Sequence, residues 1–196
     1  MLVSLFTDAS VNHQKQSGGW GAWARSERGK VWDGGMITHH LTSSNEAEAI
    51  AVLRGAALAH HVGILMPGDT VIVQLDNQHV CRSLNWSWEK GSPMMPQIRP
   101  DYSRTEHEIS TLDAITEFEL RHNIQIASRW IKGHTNGETP RTYVNNACDS
   151  LANKGRKMAE KYFAHPKGQH RMFVHNREKV ERAERKAEII NWGAVR

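Results

Sequence analysis

Cysteine is scarce in this chain, and long hydrophobic runs are missing. Only Cys81 and Cys148 occur among 196 residues. They are too far apart for a CxxC pair, so neither a disulfide framework nor a cysteine zinc centre is supported, and a reducing compartment fits. No stretch approaches the roughly 18 uninterrupted apolar residues of a membrane span. The opening MLVSLFTDAS reaches an acid at Asp8 before a signal-peptide core could form. These absences predict a cytoplasmic protein with no membrane partner. No internal repeat is visible.

What is present describes an ordinary folded domain. Apolar residues make up 39% and charged residues 23% of the chain, near the averages for globular proteins, and seven tryptophans argue against a disordered polymer. The length suffices for one well-buried domain with about forty residues to spare. Charge is divided unevenly. Residues 1–150 hold 13 Lys and Arg against 16 Asp and Glu, whereas residues 151–196 hold 12 against 5. A basic segment on a mildly acidic body points to a polyanionic partner, with a merely solvated helix as the alternative.

Periodicity supplies the elements. LVSLFTD, GGWGAWARSE and GKVWDGGMI are short apolar-aromatic runs separated by Gly and charged turns, which predicts three consecutive antiparallel strands. SSNEAEAIAVLRGAALAHH is rich in Ala, Leu and Glu, with Ala47, Ile50, Leu53 and Ala57 at spacings of three and four. It predicts a helix of about four turns, capped near Ser43–Asn45. PGDTVIVQLD predicts a buried strand ending at Asp76, and NQHVCRSLNW a short helix. Three prolines and a glycine between Trp86 and Tyr102 predict a loop or hairpin-like excursion. A helix is expected from Arg104 to about Arg121 with Ile109, Leu112, Ile115 and Leu120 on or near its inner face. A last strand over NIQIASRWIKGH and a helix from about Thr142 to Ala159 follow. The end of the chain predicts an amphipathic helix with Val180, Ala183, Ala187 and Ile190 as its apolar stripe. The order implies a mixed sheet with helices on its faces, the later strands running parallel to the first.

Four acids stand out in this layout. Asp8 and Asp76 fall where strands are expected to end, Glu48 lies near the start of the first long helix, and Asp149 lies early in the helix after the last strand. Ligands collect beyond the carboxyl ends of strands in sheets with helical crossovers. Four converging carboxylates would repel one another unless they held cations, and an oxygen-rich set without Cys prefers Mg²⁺ or Mn²⁺ to zinc.

At these residues the chain resembles the type 1 ribonuclease H family. The resemblance rests on FTDAS with Asp8, TSSNEAEAIAVL with Asn45 and Glu48, VQLDNQHV with Asp76, WIKGH with His134, and NNACDSLAN with Asp149. It covers about residues 2–160. Glu48 is preferred to Glu46 because it lies three residues after Asn45, as the family's glutamate does, which leaves Glu46 as a solvated first-turn charge. The fold implied is α/β, a ribonuclease H-like five-stranded mixed sheet of three antiparallel strands followed by two parallel, flanked by helices. A catalytic domain over 1–163 and a basic C-terminal helical extension over 164–196 are expected.

The resemblance implies hydrolysis of the RNA strand of an RNA/DNA hybrid by two Mg²⁺ ions, with Mn²⁺ able to substitute, leaving a 5′-phosphate and a 3′-hydroxyl. Asp8 would bridge both ions, and Glu48, Asp76 and Asp149 would complete their shells. His134 would assist proton transfer or product release. Asn45 and Gln78 match positions that touch the hybrid, and Ser10, Ser43, Ser44 and Asn77 are plausible neighbours for reading 2′-hydroxyls. The family's basic handle would fall at residues 89–103, which hold only Lys90 and Arg99 as cations, so the basic extension is the candidate for gripping the hybrid. No small-molecule cofactor and a monomer are expected. The competing readings are another nuclease on this fold and an inactive nucleic-acid binding module.

Overall fold

In the computed structural model the structure describes residues 1–84, 86–87, 92–93, 105–133 and 139–164. His134, Trp88, most of the excursion at 89–103 and the predicted terminal helix lie outside the described residues. The chain divides into two compact units, Met1–Ala159 and Glu160–Arg196.

Eleven elements are described: β1 (Leu2–Asn12), β2 (Ser17–Ser26), β3 (Gly29–Ile37), α1 (Ser44–His61), β4 (Thr70–Leu75), α2 (Gln78–Ser83), β5 (Trp86–Ser87), β6 (Ser92–Pro93), α3 (Glu106–His122), β7 (Gln125–Trp130) and α4 (Pro140–Ala164). The sheet order is β3-β2-β1-β4-β7-β5-β6. The β1–β2 and β2–β3 pairs are antiparallel, and β1–β4 and β4–β7 are parallel. The five long strands therefore form the expected mixed sheet. Two-residue β5 and β6 add a short antiparallel pair at its edge, where the hairpin-like excursion was expected.

Alternation along β1 separates the two faces. Val3 and Leu5 are buried with Ala22, Ala24, Val71, Val73 and Ile126 beneath Ala49, Val52 and Ala56 of α1. Phe6 points the other way and packs with Ile131, Cys148 and Trp23 on the α4 side, its ring edge-on to Trp23 at 5.8 Å. Two helices thus cover opposite faces of one sheet. The first half of α1 is buried all round, from Glu46 to Val52, and of the expected stripe Ala47 and Ile50 are buried while Leu53 and Ala57 are half-buried. Small side chains permit this, because they let the helix axis approach the sheet closely at little entropic cost.

The inner face of α3 differs from the expectation. Ile115 is buried, but Ile109 is 46% and Leu120 79% exposed. The residues that share the buried side with Ile115 are Glu108 and Glu119, spaced seven before and four after it on one helical face. Glu119 is kept inside by a hydrogen bond from the Ile126 N–H to its Oε1, 2.6 Å long, which satisfies a carboxylate that burial would otherwise penalise. Apolar identity misled here, because two of the inward positions are glutamates.

The α4 helix meets β2 and β3 backbone to backbone. A Cβ on Gly21 would stand 2.2 Å from the Cys148 carbonyl oxygen, and one on Gly155 would stand 2.1 Å from the Gly35 carbonyl oxygen. Glycine is required at both positions by space, whatever its conformational freedom. Gly21→Ala is therefore expected to lower stability by about 1–3 kcal/mol, the usual scale of overpacking. Denaturant melts check this, and an unchanged midpoint would mean that α4 can lift from the sheet without penalty.

Candidate active site

The four acids arrive by different routes. Parallel pairing of β1 with β4 stops at Phe6 and Gln74, while antiparallel pairing with β2 continues through Asp8 and Gly21 to Asn12 and Ser17. Asp8 is thus not at the end of its strand, as expected, but just past the point where β1 and β4 part. The reason is that β2 continues to supply partners on one edge after β4 has ended. Asp76 follows Leu75, the last residue of β4, and Glu48 lies in the second turn of α1. Asp149 lies in the first half of α4.

Asp8, Glu48 and Asp76 bring carboxylate oxygens to within 4.8 Å of one another. Asp8 and Glu48 are buried, and Glu48 Oε2 has no hydrogen-bond partner. Asp149 stands outside this trio, near enough for its charge to act on Asp8. Burial, then the charges of Asp76 and Asp149, push the Asp8 carboxyl up to about 8 against the pull of the Ala9 N–H. Burial and the charges of Asp8 and Asp76 likewise hold Glu48 well above the usual carboxylate range. Burial alone does not produce this. At Asp69, 3% exposed, hydrogen bonds from Arg28, the Met66 N–H and the chain's amino terminus hold the carboxyl at about 2. Among the described residues no cation plays that part for Asp8 or Glu48. An all-oxygen cluster with an orphaned buried oxygen and close like charges fits a hard divalent cation.

Neighbouring residues hold the acids in place. Trp130 Nε1 donates to the Asp76 carbonyl oxygen at 2.9 Å. A Cβ on Gly133 would stand 1.9 Å from Asp76 Oδ2, so any larger residue there would have to displace the carboxylate. Both lie in WIKGH, where the sequence pattern points only to His134, which lies outside the described residues.

Glu46 is the clearest correction. It is fully buried, not solvated: Oε2 accepts from the Thr42 N–H and hydroxyl at 3.1 and 2.8 Å, and Oε1 stands 2.8 Å from His39 Nε2. Burial would raise its pKa, but these partners together hold it below the usual value. It ties the turn before α1 to the helix and stays apart from the trio. A satisfied internal carboxylate and a solvated one look alike in sequence.

The polar candidates are largely committed to structure. Ser43 Oγ accepts from the Glu46 N–H and caps α1. Ser44 Oγ lies 3.2 Å from His13 Nε2. Asn77 Oδ1 accepts from the His79 and Val80 N–H groups and caps α2, while its Nδ2 donates to Asn45 Oδ1 at 2.9 Å. That last bond links the start of α1, which carries Glu48, to the turn after Asp76. Gln78 opens α2 and is exposed. Ser10 turns towards α4, donating to Asn153 Oδ1 at 2.9 Å.

A carboxyl whose folded pKa is raised favours the folded state below its unfolded pKa of about 3.9, and that contribution is lost as pH rises through the folded value of about 8. The cation-free protein should therefore lose stability from about pH 4 to pH 8. Asp8→Asn should raise its Tm at pH 8.5 by about 3–6 °C, corresponding to about 1–2 kcal/mol for a chain of this size, with little effect at pH 4. Melting curves in EDTA test this, and equal shifts at both pH values would contradict it.

Comparison with known proteins agrees with this arrangement. The RNase H family model matches residues 2–157. Among solved structures, the chain is similar to the RNase H1 of the halophilic archaeon Halobacterium salinarum NRC-1, at 15% identity and TM-score 0.55 over 81% of this chain and all of that one. It is similar to LC11-RNase H1, isolated from compost by a metagenomic approach and solved in complex with an RNA/DNA hybrid, at 16% identity and TM-score 0.56 over 80% and 98%. It is also similar to the N-terminal RNase H domain of rv2228c from Mycobacterium tuberculosis, at 15% identity and TM-score 0.56 over 82% and 96%. No curated protein matches the sequence. With a family model matched over most of its length and the acids gathered on the ribonuclease H-like sheet, the chain belongs to the RNase H family.

Proposed function

We propose that this chain is an endonuclease that hydrolyses the RNA strand of RNA/DNA hybrids, leaving a 5′-phosphate and a 3′-hydroxyl. The observation that carries the reading is the trio of Asp8, Glu48 and Asp76, in which burial and like charge hold two carboxyls far above their ordinary range. An inactive binding module would gain nothing from it. That LC11-RNase H1 was solved with a hybrid supports the substrate class.

Asp8, Glu48, Asp76 and Asp149 would hold the divalent cations, two Mg²⁺ with Mn²⁺ as a substitute, which when bound supply positive charge at a scissile phosphate and lower the pKa of water. The protein's own part is to keep Asp8 and Glu48 dehydrated with Asp76 close to them, so that cation binding is favoured by the removal of their repulsion. His134, the next residue in sequence after Gly133, would take or deliver a proton near neutral pH. Asn45, Asn77 and Gln78 stand at the starts of α1 and α2, where their amides and the adjoining backbone would read 2′-hydroxyls across the minor groove, with Ser43 and Ser44 beside them. We take residues 1–163 as the catalytic domain and 164–196 as a basic extension that grips phosphates. A cytoplasmic monomer completes the proposal. Among the described residues no helix is long and apolar enough to cross a membrane.

Labelled RNA/DNA hybrid should be cut in Mg²⁺ but not in EDTA, with duplex DNA, duplex RNA and single-stranded RNA left intact. Asp8→Asn should reduce hybrid cutting by about 10³-fold or more, the scale of several kcal/mol of lost charge stabilisation. Cutting of DNA would indicate another nuclease on this fold, and binding without cutting would indicate the inactive module. Truncation after Ala164 should weaken hybrid binding and flatten the dependence of log K on log salt, by about 0.9 for each phosphate that is no longer neutralised. An unchanged slope would remove the extension from the interface.

A further inference from the structure

A hydrogen-bonded chain on the α4 face of the sheet ends on the fourth acid. Arg156 Nε donates to Ser10 Oγ at 3.0 Å, Ser10 Oγ donates to Asn153 Oδ1 at 2.9 Å, and Asn153 Nδ2 donates to Asp149 Oδ1 at 2.8 Å. It joins two segments far apart in sequence. Ser10 lies two residues beyond Asp8 on β1, and Asn153 lies one helical turn beyond Asp149 on α4. The approach is made possible by Gly19, the partner of Ser10 in the β1–β2 register, where a Cβ would stand 2.2 Å from the Arg156 backbone nitrogen. Ser10, Asn153 and Arg156 are all half-buried.

The direction of the chain follows from its donors. A guanidinium N–H can only donate, so Ser10 accepts from Arg156 and its single hydroxyl proton is available for Asn153. That proton requires the amide oxygen, and so turns the amide nitrogen towards Asp149. The flipped amide would set an NH₂ group where the hydroxyl proton points and an oxygen against a carboxylate. Only one orientation satisfies every partner.

We infer that Asn153, oriented by Ser10 and Arg156, is a positioning residue for Asp149: its amide occupies Asp149 Oδ1 and leaves Oδ2 as the oxygen offered to a divalent cation. This rests on the reading of Asp149 as a cation ligand. It also gives Ser10 a different employment from substrate contact, since its hydroxyl is engaged by α4. Metal-ligating groups elsewhere are held by hydrogen bonds from outer partners in the same way, and loss of such a partner costs 10–100-fold in metal affinity.

The test is titration of the full chain with Mn²⁺ by calorimetry, without nucleic acid, for wild type, Asn153→Ala, Ser10→Ala, Asp149→Asn and the Asp149→Asn/Asn153→Ala double variant, with Tm recorded for each. Asn153→Ala is expected to weaken Mn²⁺ binding by about 10–100-fold, and Ser10→Ala, which leaves the amide in place but unanchored, by a smaller factor. The double variant should bind as Asp149→Asn does. Wild-type affinity in Asn153→Ala, or an equal further loss in the Asp149→Asn background, would overturn the proposal, because either would mean that Asn153 does not act through Asp149. The cation-free protein offers a second readout: the Asn153 side-chain amide protons should exchange slowly with water in wild type and quickly in Ser10→Ala, and fast exchange in wild type would also overturn it. Hybrid cutting is measured separately. Its absence alongside the expected Mn²⁺ pattern would defeat the proposed nuclease activity while leaving the role of Asn153 standing.

Discussion

Like-charge repulsion among closely gathered carboxylates, two of them buried, is the constraint around which this molecule is arranged. Asp8, Glu48 and Asp76 place oxygens within 4.8 Å of one another, from a strand, a helix and a strand end that would separate if they were free to do so. Dehydration sharpens the repulsion, because the low local dielectric screens it poorly. The scaffold must therefore be stiff where the acids attach. Central parallel strands, buried on both faces, provide that stiffness for Asp8 and Asp76, and the first half of an alanine-rich helix, buried from Glu46 to Val52, provides it for Glu48.

The fourth acid depends on a different device. Asp149 belongs to α4, which lies on the opposite face of the sheet from α1. Glycines at 19 and 21 in the sheet and at 155 in the helix let the two backbones approach closely where they cross. Contact at backbone distance leaves little freedom to slide or rotate, since interiors are packed as densely as crystals. The register of α4 over β1 and β2 then brings Asn153 and Arg156 within reach of Ser10. One set of small residues thus serves both packing and the orientation of a carboxylate.

The contrast between Glu46 and Glu48 shows how closely the fold discriminates. The two are adjacent but for Ala47, and both are buried. Glu46 meets Thr42 and His39, which together hold its carboxyl below the usual range against burial, whereas Glu48 meets other acids, and burial with their charge pushes its carboxyl up. Two residues amount to about 200° around a helix, enough to turn one carboxylate to a capping turn and the other to the cluster.

Periodicity and turn chemistry were enough to read the three antiparallel strands, the alanine-rich helix, the buried strand before Asp76 and the last strand, because each is set by local alternation or by i, i+3, i+4 spacing within its own segment. The motifs around Asp8, Glu48, Asp76 and Asp149 were legible for the same reason: each is a short run of neighbouring residues. What only the tertiary structure decided was every relation between segments. The inward turn of Glu108 and Glu119, the burial of Glu46, the continuation of β1 past Asp8, the closeness of Gly133 to Asp76 and the link from Ser10 to Asn153 all depend on partners distant in sequence. A polar side chain reads as solvated until the group that satisfies it is known, and that group is supplied by packing, which local sequence does not encode.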